Sequence, residues 1–399
     1  MTNILWVNQI FLERAHTETY KDYLKKMNTK EDKIKFLVFS AAYPYRGGIS
    51  DSTHSLCNEL INYGITTEVW TFSLLYPSFL FPGKSQYSNE KYDQNFKIIR
   101  LINTINPINW IKVSKMVNKT MPETIILRYW SPILIFSYFF IRIFLNKKIK
   151  VIGLIDNWDN HEKVPFEKLI RKLFLNTCDT FISMSDNVGN QLKKYTNKKV
   201  IPLFHPINLN LPKPVSKSMA KINLGLDDIT YISFIGIIRR YKGLETLISS
   251  MKLINRHNIK LIIAGEFYEP IDKYLNLIKN LNLNDKVILN NQFLDSKMIR
   301  DYICASDLII QPYVKASQSG ITPLCYFYET PSVVSNINGL NEIILRDKSG
   351  TTFEKTPENL STVILESLDE ERNKYYRINI KKSKEQYSWL SFIKELQKL

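Results

Sequence analysis

Phe234-Ile235-Gly236-Ile237-Ile238-Arg239-Arg240-Tyr241-Lys242-Gly243-Leu244 is the stretch on which the reading of this chain turns. An apolar strand runs into a glycine turn, and two arginines and a lysine follow where a helix should begin. A helix N-terminus favours anions through its unpaired N–H groups and its dipole. Cations added there make a diphosphate the natural ligand. The plainer reading is a basic loop with solvated charges. Position argues against it, because strand-to-helix turns are where open α/β sheets bind ligands.

Around this stretch, strands are predicted at 230–235, 259–264, 286–290, 307–310 and 332–335, with helices between them. The same alternation runs through the first half, with strands at 35–39, 67–72, 97–102, 124–128, 150–155, 180–184 and 199–204. Amphipathic segments such as Asp51 to Tyr63 and Phe166 to Asn176 lie between them. Strand–helix alternation predicts mostly parallel sheets covered on both faces. The Pro- and Asn-rich stretch HPINLNLPKPVSKS, 205–218, reads as an interdomain linker. The expected division is an extension over 1–33, a doubly wound domain over 34–208, a linker over 209–218 and a second doubly wound domain over 219–386. A closing helix spans 387–399.

The chain has 399 residues, 44 % of them apolar, and a formal charge of +16. That size fits two domains with their own cores. The charge favours anionic partners: phosphorylated substrates, nucleic acid or an anionic membrane surface. No long basic run and no RNA-binding or zinc-finger pattern occurs, so nucleic acid is not expected. Cys57, Cys178, Cys304 and Cys325 are too scattered for a metal site or a disulfide framework and suit a reducing cytosol. The N-terminal residues mix apolar and charged side chains, unlike a signal peptide. The longest hydrophobic run, Ile133 to Leu145, contains Arg142 and falls short of the roughly 20 residues a bilayer span needs. It reads as a buried helix, or as one resting on a membrane with Arg142, Lys147, Lys148 and Lys150 toward lipid phosphates.

Four loops carry candidate chemistry. Ala41 to Asp51 contains Arg46, Gly47 and Gly48; adjacent glycines allow close backbone approach and positive φ. Ser50 or Asp51 is placed to cap the following helix. The loop reads as a tight turn or as a phosphate-facing loop, and it is no dinucleotide fingerprint. Asp156-Asn157-Trp158-Asp159-Asn160-His161-Glu162 follows a strand, and His161 there can donate to a sugar hydroxyl or move a proton. Turn hydrogen bonds and helix capping are the alternative for this loop. Ala316 to Pro323 is a small-residue turn opening a helix and presents Ser319, Gly320 and Ile321. Gly265-Glu266-Phe267 follows strand 259–264 and is placed to line a nucleotide pocket.

Taken together, these pieces resemble the GT-B glycosyltransferases, in particular retaining glycosyltransferase family 4 (glycosyl transferases group 1) in its SQSG-type branch. The resemblance is carried by YPYRGGIS at 43–50, FLFPGKSQY at 79–87, NPINW at 106–110, YWSP at 129–132 and DNWDNHEKVP at 156–165. It continues through HP at 205–206, FIGIIRRYKGLETL at 234–247, SQSGITPL at 317–324 and YSW at 387–389. It implies two Rossmann-like domains facing a cleft, with the nucleotide-sugar on the C-terminal domain and the acceptor on the N-terminal one. The helix after Trp389 would pack back on the N-terminal domain.

Residue by residue, the resemblance implies that Arg239 and Lys242 grip the donor diphosphate and that Gly47 and Gly48 approach it. His161 would sit near the donor sugar, a role for which Asp156 and Asp159 compete. Gly265, Ser319, Gly320 and Ile321 would line the donor, and the backbone near Phe293 and Leu294 would read the base. Many members carry two glutamates with seven residues between them near the last of these motifs; here Ala316 and Leu324 stand at those places, and Glu329 and Glu342 are the nearby acids. The implied reaction is retaining transfer of a hexose from a nucleotide diphosphate sugar to a hydroxyl, with no metal and no further cofactor. No pair of opposed carboxylates of the glycosidase kind stands out. The implied acceptor is a saccharide or lipid-linked saccharide in cell-surface polysaccharide or lipopolysaccharide assembly. The implied setting is the cytoplasm, with peripheral contact to the anionic inner face of the membrane. A non-catalytic nucleotide-sugar-binding scaffold and a GT-B nucleotide-sugar epimerase are the competing readings.

Overall fold

The computed structural model describes residues 33–77, 85–88, 94–158, 167–207 and 211–399. All but Lys33 of the expected extension, and most of FLFPGKSQY, lie outside them. The chain forms two compact units. The first runs to Leu203, apart from Ser185–Asn187, which group with the second; the second comprises Phe204–Leu399.

The strands of the first unit are β1 (Phe36–Phe39), β2 (Thr67–Leu74), β3 (Lys97–Asn103), β4 (Thr124–Tyr129), β5 (Lys150–Ile155), β6 (Thr180–Ser183) and β7 (Val200–Pro202). Its helices are α1 (Gly48–Asn62), α2 (Pro107–Thr120), α3 (Leu134–Ile143), α4 (Glu167–Thr177) and α5 (Asp186–Lys193). The sheet is parallel throughout, in the order β3-β2-β1-β4-β5-β6-β7. β1 is the apolar run FLVF with every residue buried, as a central parallel strand covered on both faces requires. Parallel crossovers are right-handed. The rightward connections through α2 and α3 therefore cover one face, and the leftward connection through α1 covers the other. Leu37, Phe39, Trp70, Leu127 and Tyr138 lie in this unit's core.

In the second unit, α6 (Lys217–Asn223) precedes β8 (Thr230–Ile235). There follow α7 (Leu244–Leu253), β9 (Ile259–Ala264), α8 (Asp272–Asn280), β10 (Val287–Asn290), α9 (Ser296–Ala305), β11 (Leu308–Gln311), α10 (Ile321–Phe327) and β12 (Ser332–Ser335). α11 (Asn341–Asp347), β13 (Gly350–Phe353), α12 (Pro357–Ser367), α13 (Glu370–Ser383) and α14 (Trp389–Leu396) complete it. This sheet too is parallel, in the order β10-β9-β8-β11-β12-β13. Both sheets are doubly wound, as expected. β13 is the one strand not predicted: its sequence GTTF alternates too weakly to show. It pairs in register with β12, Ser332 opposite Gly350. A Cβ on Gly350 would come within 2.0 Å of the Ser332 carbonyl oxygen.

Helix boundaries differ from expectation in one place that matters. α1 begins at Gly48, with Gly47 in the cap position at φ 100° and no side-chain cap. Ser50 and Asp51 are therefore in the first turn and do not cap it. Elsewhere capping follows the sequence. Asn106 accepts from the backbone N–H of Asn109 ahead of Pro107, and Ser388 accepts from Ser391 ahead of α14. Trp389, Phe392, Ile393 and Leu396 form the buried face of α14.

Candidate functional site

In an open parallel sheet the ligand crevice opens beyond the carboxyl ends of the strands, where the strand order reverses. Each unit has such a point: between β1 and β4 in the first, and between β8 and β11 in the second. Among the described residues, the predicted ones fall on or beside the loops that leave strand ends on this side of each sheet.

In the second unit, Gly236 (φ 105°) follows β8, and the chain keeps pairing above the sheet. Gly236 N–H donates to the Ala264 carbonyl, Ile238 N–H to Glu266, and Tyr268 N–H to Ile238. That short extension sets Arg239 over the ring of Tyr268, 5.1 Å from its centroid. A single 3₁₀ turn, Arg240–Lys242, then ends at Gly243 in the left-handed region (φ 66°), and α7 begins. A helix was expected directly after the turn; the 3₁₀ turn displaces its start to Leu244. Gly243 cannot carry a side chain, since a Cβ would meet the Pro312 carbonyl oxygen at 2.0 Å. The Val314 N–H donates to the Tyr241 carbonyl and fastens the turn to the loop after β11.

This fastening brings sequence-distant motifs together. Lys242 Nζ lies 5.4 Å from the centroid of the Tyr313 ring. Tyr313 bonds to Ser319, and Ser319 Oγ accepts from the N–H of Ile321. A Cβ built on Gly236 would stand 3.4 Å from Ile321 Cδ1 and 3.6 Å from Lys242 Nζ. Thus Gly236, Lys242, Tyr313, Ser319 and Ile321 share one corner at the β8/β11 reversal. Burial, with Arg239 adding to it, lowers the Lys242 ammonium from its ordinary range to about 8. Among the described residues no carboxylate pairs with Lys242. Burial also pushes the Tyr313 phenol up. Gly320 has open space around it.

The remaining donor candidates lie on the same edge. Gly265 follows β9 at φ 150°, and a Cβ there would meet the Gly236 carbonyl oxygen at 2.1 Å, so the two turns nest. Phe293 and Leu294 follow β10; Leu294 is packed in the core, and Phe293 is exposed. Of the two alternative acids, Glu329 is an anchor, its carboxylate 2.8 Å from Lys384 Nζ and its carbonyl bound by Arg377. Glu342 is half-buried in the first turn of α11, and burial raises its carboxyl above the usual range.

In the first unit, the loop after β1 is pinned by its own helix. Ser40 Oγ and Thr53 Oγ1 are 2.7 Å apart, the Ala42 N–H donates to Thr71 Oγ1, and the Tyr43 N–H donates to His54 Nε2 at 3.0 Å. His54 is buried, which lowers it to about 4 and keeps it a neutral acceptor. Gly47 and Gly48 are open, with no heavy atom within 4 Å of a built Cβ. Asp156, a competitor for the sugar-side role, is engaged elsewhere: Arg128 of β4 grips it with two bonds of 2.8 Å. The same guanidinium donates to Ile49 O, Thr53 Oγ1 and Ser52 Oγ, so it holds the first turn of α1. Both side chains are shut from solvent. His161 and Asp159 lie outside the described residues.

Sequence reasoning missed Arg128 and His54. Arg128 could have been found as the lone charge in the strand TIILRY, because a buried charge demands a partner. Among the described residues no cluster of three or more His, Cys, Asp or Glu is placed to hold a metal ion.

Residues 217–386 match the family model described as Glycosyl transferases group 1. An uncharacterized glycosyltransferase of Methanocaldococcus jannaschii is 26 % identical over 255 residues, 63 % of this chain and 62 % of that protein. This chain thus spans less than two thirds of that relative. Among solved structures, the sucrose-phosphate synthase of Thermosynechococcus elongatus superposes with a TM-score of 0.73 at 16 % identity, over 91 % of this chain and 98 % of that one. An Anabaena protein solved with UDP-glucose superposes with a TM-score of 0.71 at 12 % identity, over 91 % of this chain and all of that one, 100 %. These likenesses establish the fold: two parallel-sheet Rossmann-like domains of the GT-B type.

Proposed function

We propose, from the premise that residues 217–386 form a domain of the glycosyl transferases group 1 kind, that this protein transfers a sugar from a nucleotide diphosphate sugar to a hydroxyl acceptor. One observation carries the reading. Lys242 is a half-buried ammonium at the β8/β11 reversal, with Arg239 as its electrostatic neighbour and no carboxylate partner among the described residues. A cation so placed is costly unless an anion joins it. A diphosphate satisfies that need, and UDP-glucose is what the Anabaena protein holds.

The chemistry follows from where charge develops. As the nucleoside diphosphate leaves, negative charge grows on its bridging oxygen, and Arg239 and Lys242 stabilise it where transition-state stabilisation counts most. Two fixed cations supply what a metal ion supplies elsewhere, so the reaction runs without metal. The departing phosphate assists the incoming hydroxyl on the same face, giving retention and removing the need for a carboxylate base. His161 and the glycines Gly47 and Gly48 serve the sugar and phosphate side. Ser319, Gly320, Ile321 and Gly265 line the donor, and the Phe293–Leu294 backbone meets the base. The acceptor is a saccharide or lipid-linked saccharide of cell-surface polysaccharide or lipopolysaccharide assembly, reached from the cytoplasmic face of the membrane.

The test is a panel of nucleotide sugars scored by thermal shift, since a ligand raises apparent stability by mass action. At least one should raise the melting temperature. The double substitution Arg239→Ala with Lys242→Ala should abolish the shift while the melting transition stays cooperative. A shift of full size in the double variant would refute the assignment. Binding without turnover would favour a scaffold, and release of an epimer would favour an epimerase.

A further inference from the structure

We propose that α2 and α3 of the first unit form a docking face for an anionic lipid bilayer. The inference builds on the membrane-borne acceptor proposed above, but it stands on a surface and not on the donor site.

Apart from Ser137 and Arg142, α3 is apolar on all sides, close to the composition of a helix that should be buried on every side. One face is: Leu134, Ile135, Tyr138 and Ile141 are in the core. The other is not. Phe136 is 44 % exposed and Ile143 is 54 % exposed, with Phe140 and Phe144 also open to solvent. Phe136, Phe140, Ile143 and Phe144 follow helical spacing, so they form one stripe about 12 Å long at 1.5 Å per residue. Neighbouring α2 extends the patch. Trp110 stacks on Phe140 with centroids 5.3 Å apart and planes 16° apart, and Ile108, on the exposed start of α2, is 68 % exposed.

Charge decides what covers this face. Segments 104–122 and 131–150 contain no Asp or Glu and seven cationic residues. Five of them, Lys112, Lys115, Lys119, Lys147 and Lys148, are exposed. Arg142 and Lys150 are the exceptions to the expected lipid-facing set: Lys150 is half-buried at the start of β5, and Arg142 bonds to Asp179 at 3.0 and 3.2 Å and to the Ile149 carbonyl. An aromatic and aliphatic stripe flanked by exposed lysines, on segments that carry no acid of their own, matches the interface of an anionic membrane, where apolar side chains enter the acyl boundary and lysines meet phosphates. A soluble protein partner or second copy would need acids on its own side and gives no reason for their absence here. Among the described residues no helix is long and apolar enough to cross a membrane, so the contact is peripheral at these helices.

The test uses the full chain and sucrose-gradient flotation with phosphatidylcholine vesicles, with and without phosphatidylglycerol, at low salt. Wild type should float with the anionic vesicles and much less with the neutral ones. Phe136→Ser with Phe144→Ser should lower the partition coefficient about tenfold or more, given loss of two interfacial aromatics. Lys147→Glu with Lys148→Glu should lower it at least about 25-fold on anionic vesicles, at about fivefold per basic residue. Lys374→Glu with Lys381→Glu, an equal charge change on the second unit, should have little effect. The proposal is overturned if wild type stays at the bottom, if the α3 variants float like wild type, or if the control falls as far as they do. It is also overturned if the serine variant abolishes self-association in sedimentation while vesicle binding persists, which would make a second copy the occupant. Flotation requires no nucleotide, so it separates this face from the donor reading. Loss of the nucleotide thermal shift leaves the vesicle result unmoved, and the reverse holds.

Discussion

Lys242 makes donor binding depend on pH in a direction and window that its surroundings set. In the free protein its ammonium is lowered to about 8, first by burial and then by Arg239. A bound diphosphate holds the proton on, so only the ammonium form binds well. The apparent dissociation constant then scales as 1 + 10^(pH − 8), which between pH 7.5 and 9 weakens binding about eightfold. The ligand does not confuse this range, because a terminal phosphate has its last pKa near about 6. Stability of the ligand-free protein moves the other way. An unfolded lysine titrates at about 10.4, so between about 8 and 10.4 the unfolded chain holds more protons and this group's contribution to stability rises with pH. Lys242→Met should remove the slope. It should also weaken binding at pH 7.5 by roughly 10- to 150-fold, the loss of one charge-assisted bond of about 1.5–3 kcal/mol. The assay is calorimetric titration with the nucleoside diphosphate giving the largest thermal shift, at half-unit steps from pH 7.5 to 9. A flat profile in wild type, or an equal slope in Lys242→Met, would refute the reasoning.

Other perturbations test the frame around the site. Arg128→Met should cost about 3–5 kcal/mol in denaturant unfolding, because Asp156 is left buried and unpaired, and the double variant with Asp156→Leu should recover part of the loss. Gly265→Ala should lower the melting temperature clearly, since its Cβ would meet the Gly236 carbonyl oxygen at 2.1 Å, whereas Gly48→Ala, with open space, should leave it within a degree or two, an effect of about 0.5 kcal/mol. His54, lowered to about 4 by burial, contributes stability that is lost as pH falls from about 6.5 toward 4, by up to about 3 kcal/mol. His54→Gln keeps an acceptor for Tyr43 N–H and should flatten that part of the acid limb; an unchanged limb would show that His54 does not titrate there.

Much of this protein is legible in its sequence. Twelve of the thirteen strands among the described residues announce themselves as apolar-rich runs, because a parallel strand covered on both faces has little polar side to disguise it. β13 escaped because GTTF holds one large apolar residue, Phe353, and too little alternation to mark a strand. The cations Arg239 and Lys242 and the turns at Gly236 and Gly265 were readable as strand-end motifs, since their residue types are local requirements of backbone and charge.

Tertiary structure alone decided which of these turns meet. That Lys242 lies over Tyr313, with Ile321 beside Gly236, depends on β11 pairing with β8 across more than 70 residues of chain. It likewise decided that Arg128 claims Asp156, and that the apolar run at Ile133 to Leu145 is core on one face and open on the other. Local chemistry is written residue by residue. Burial and partnership belong to pairs that only strand order brings within reach, so no reading of one segment could assign them.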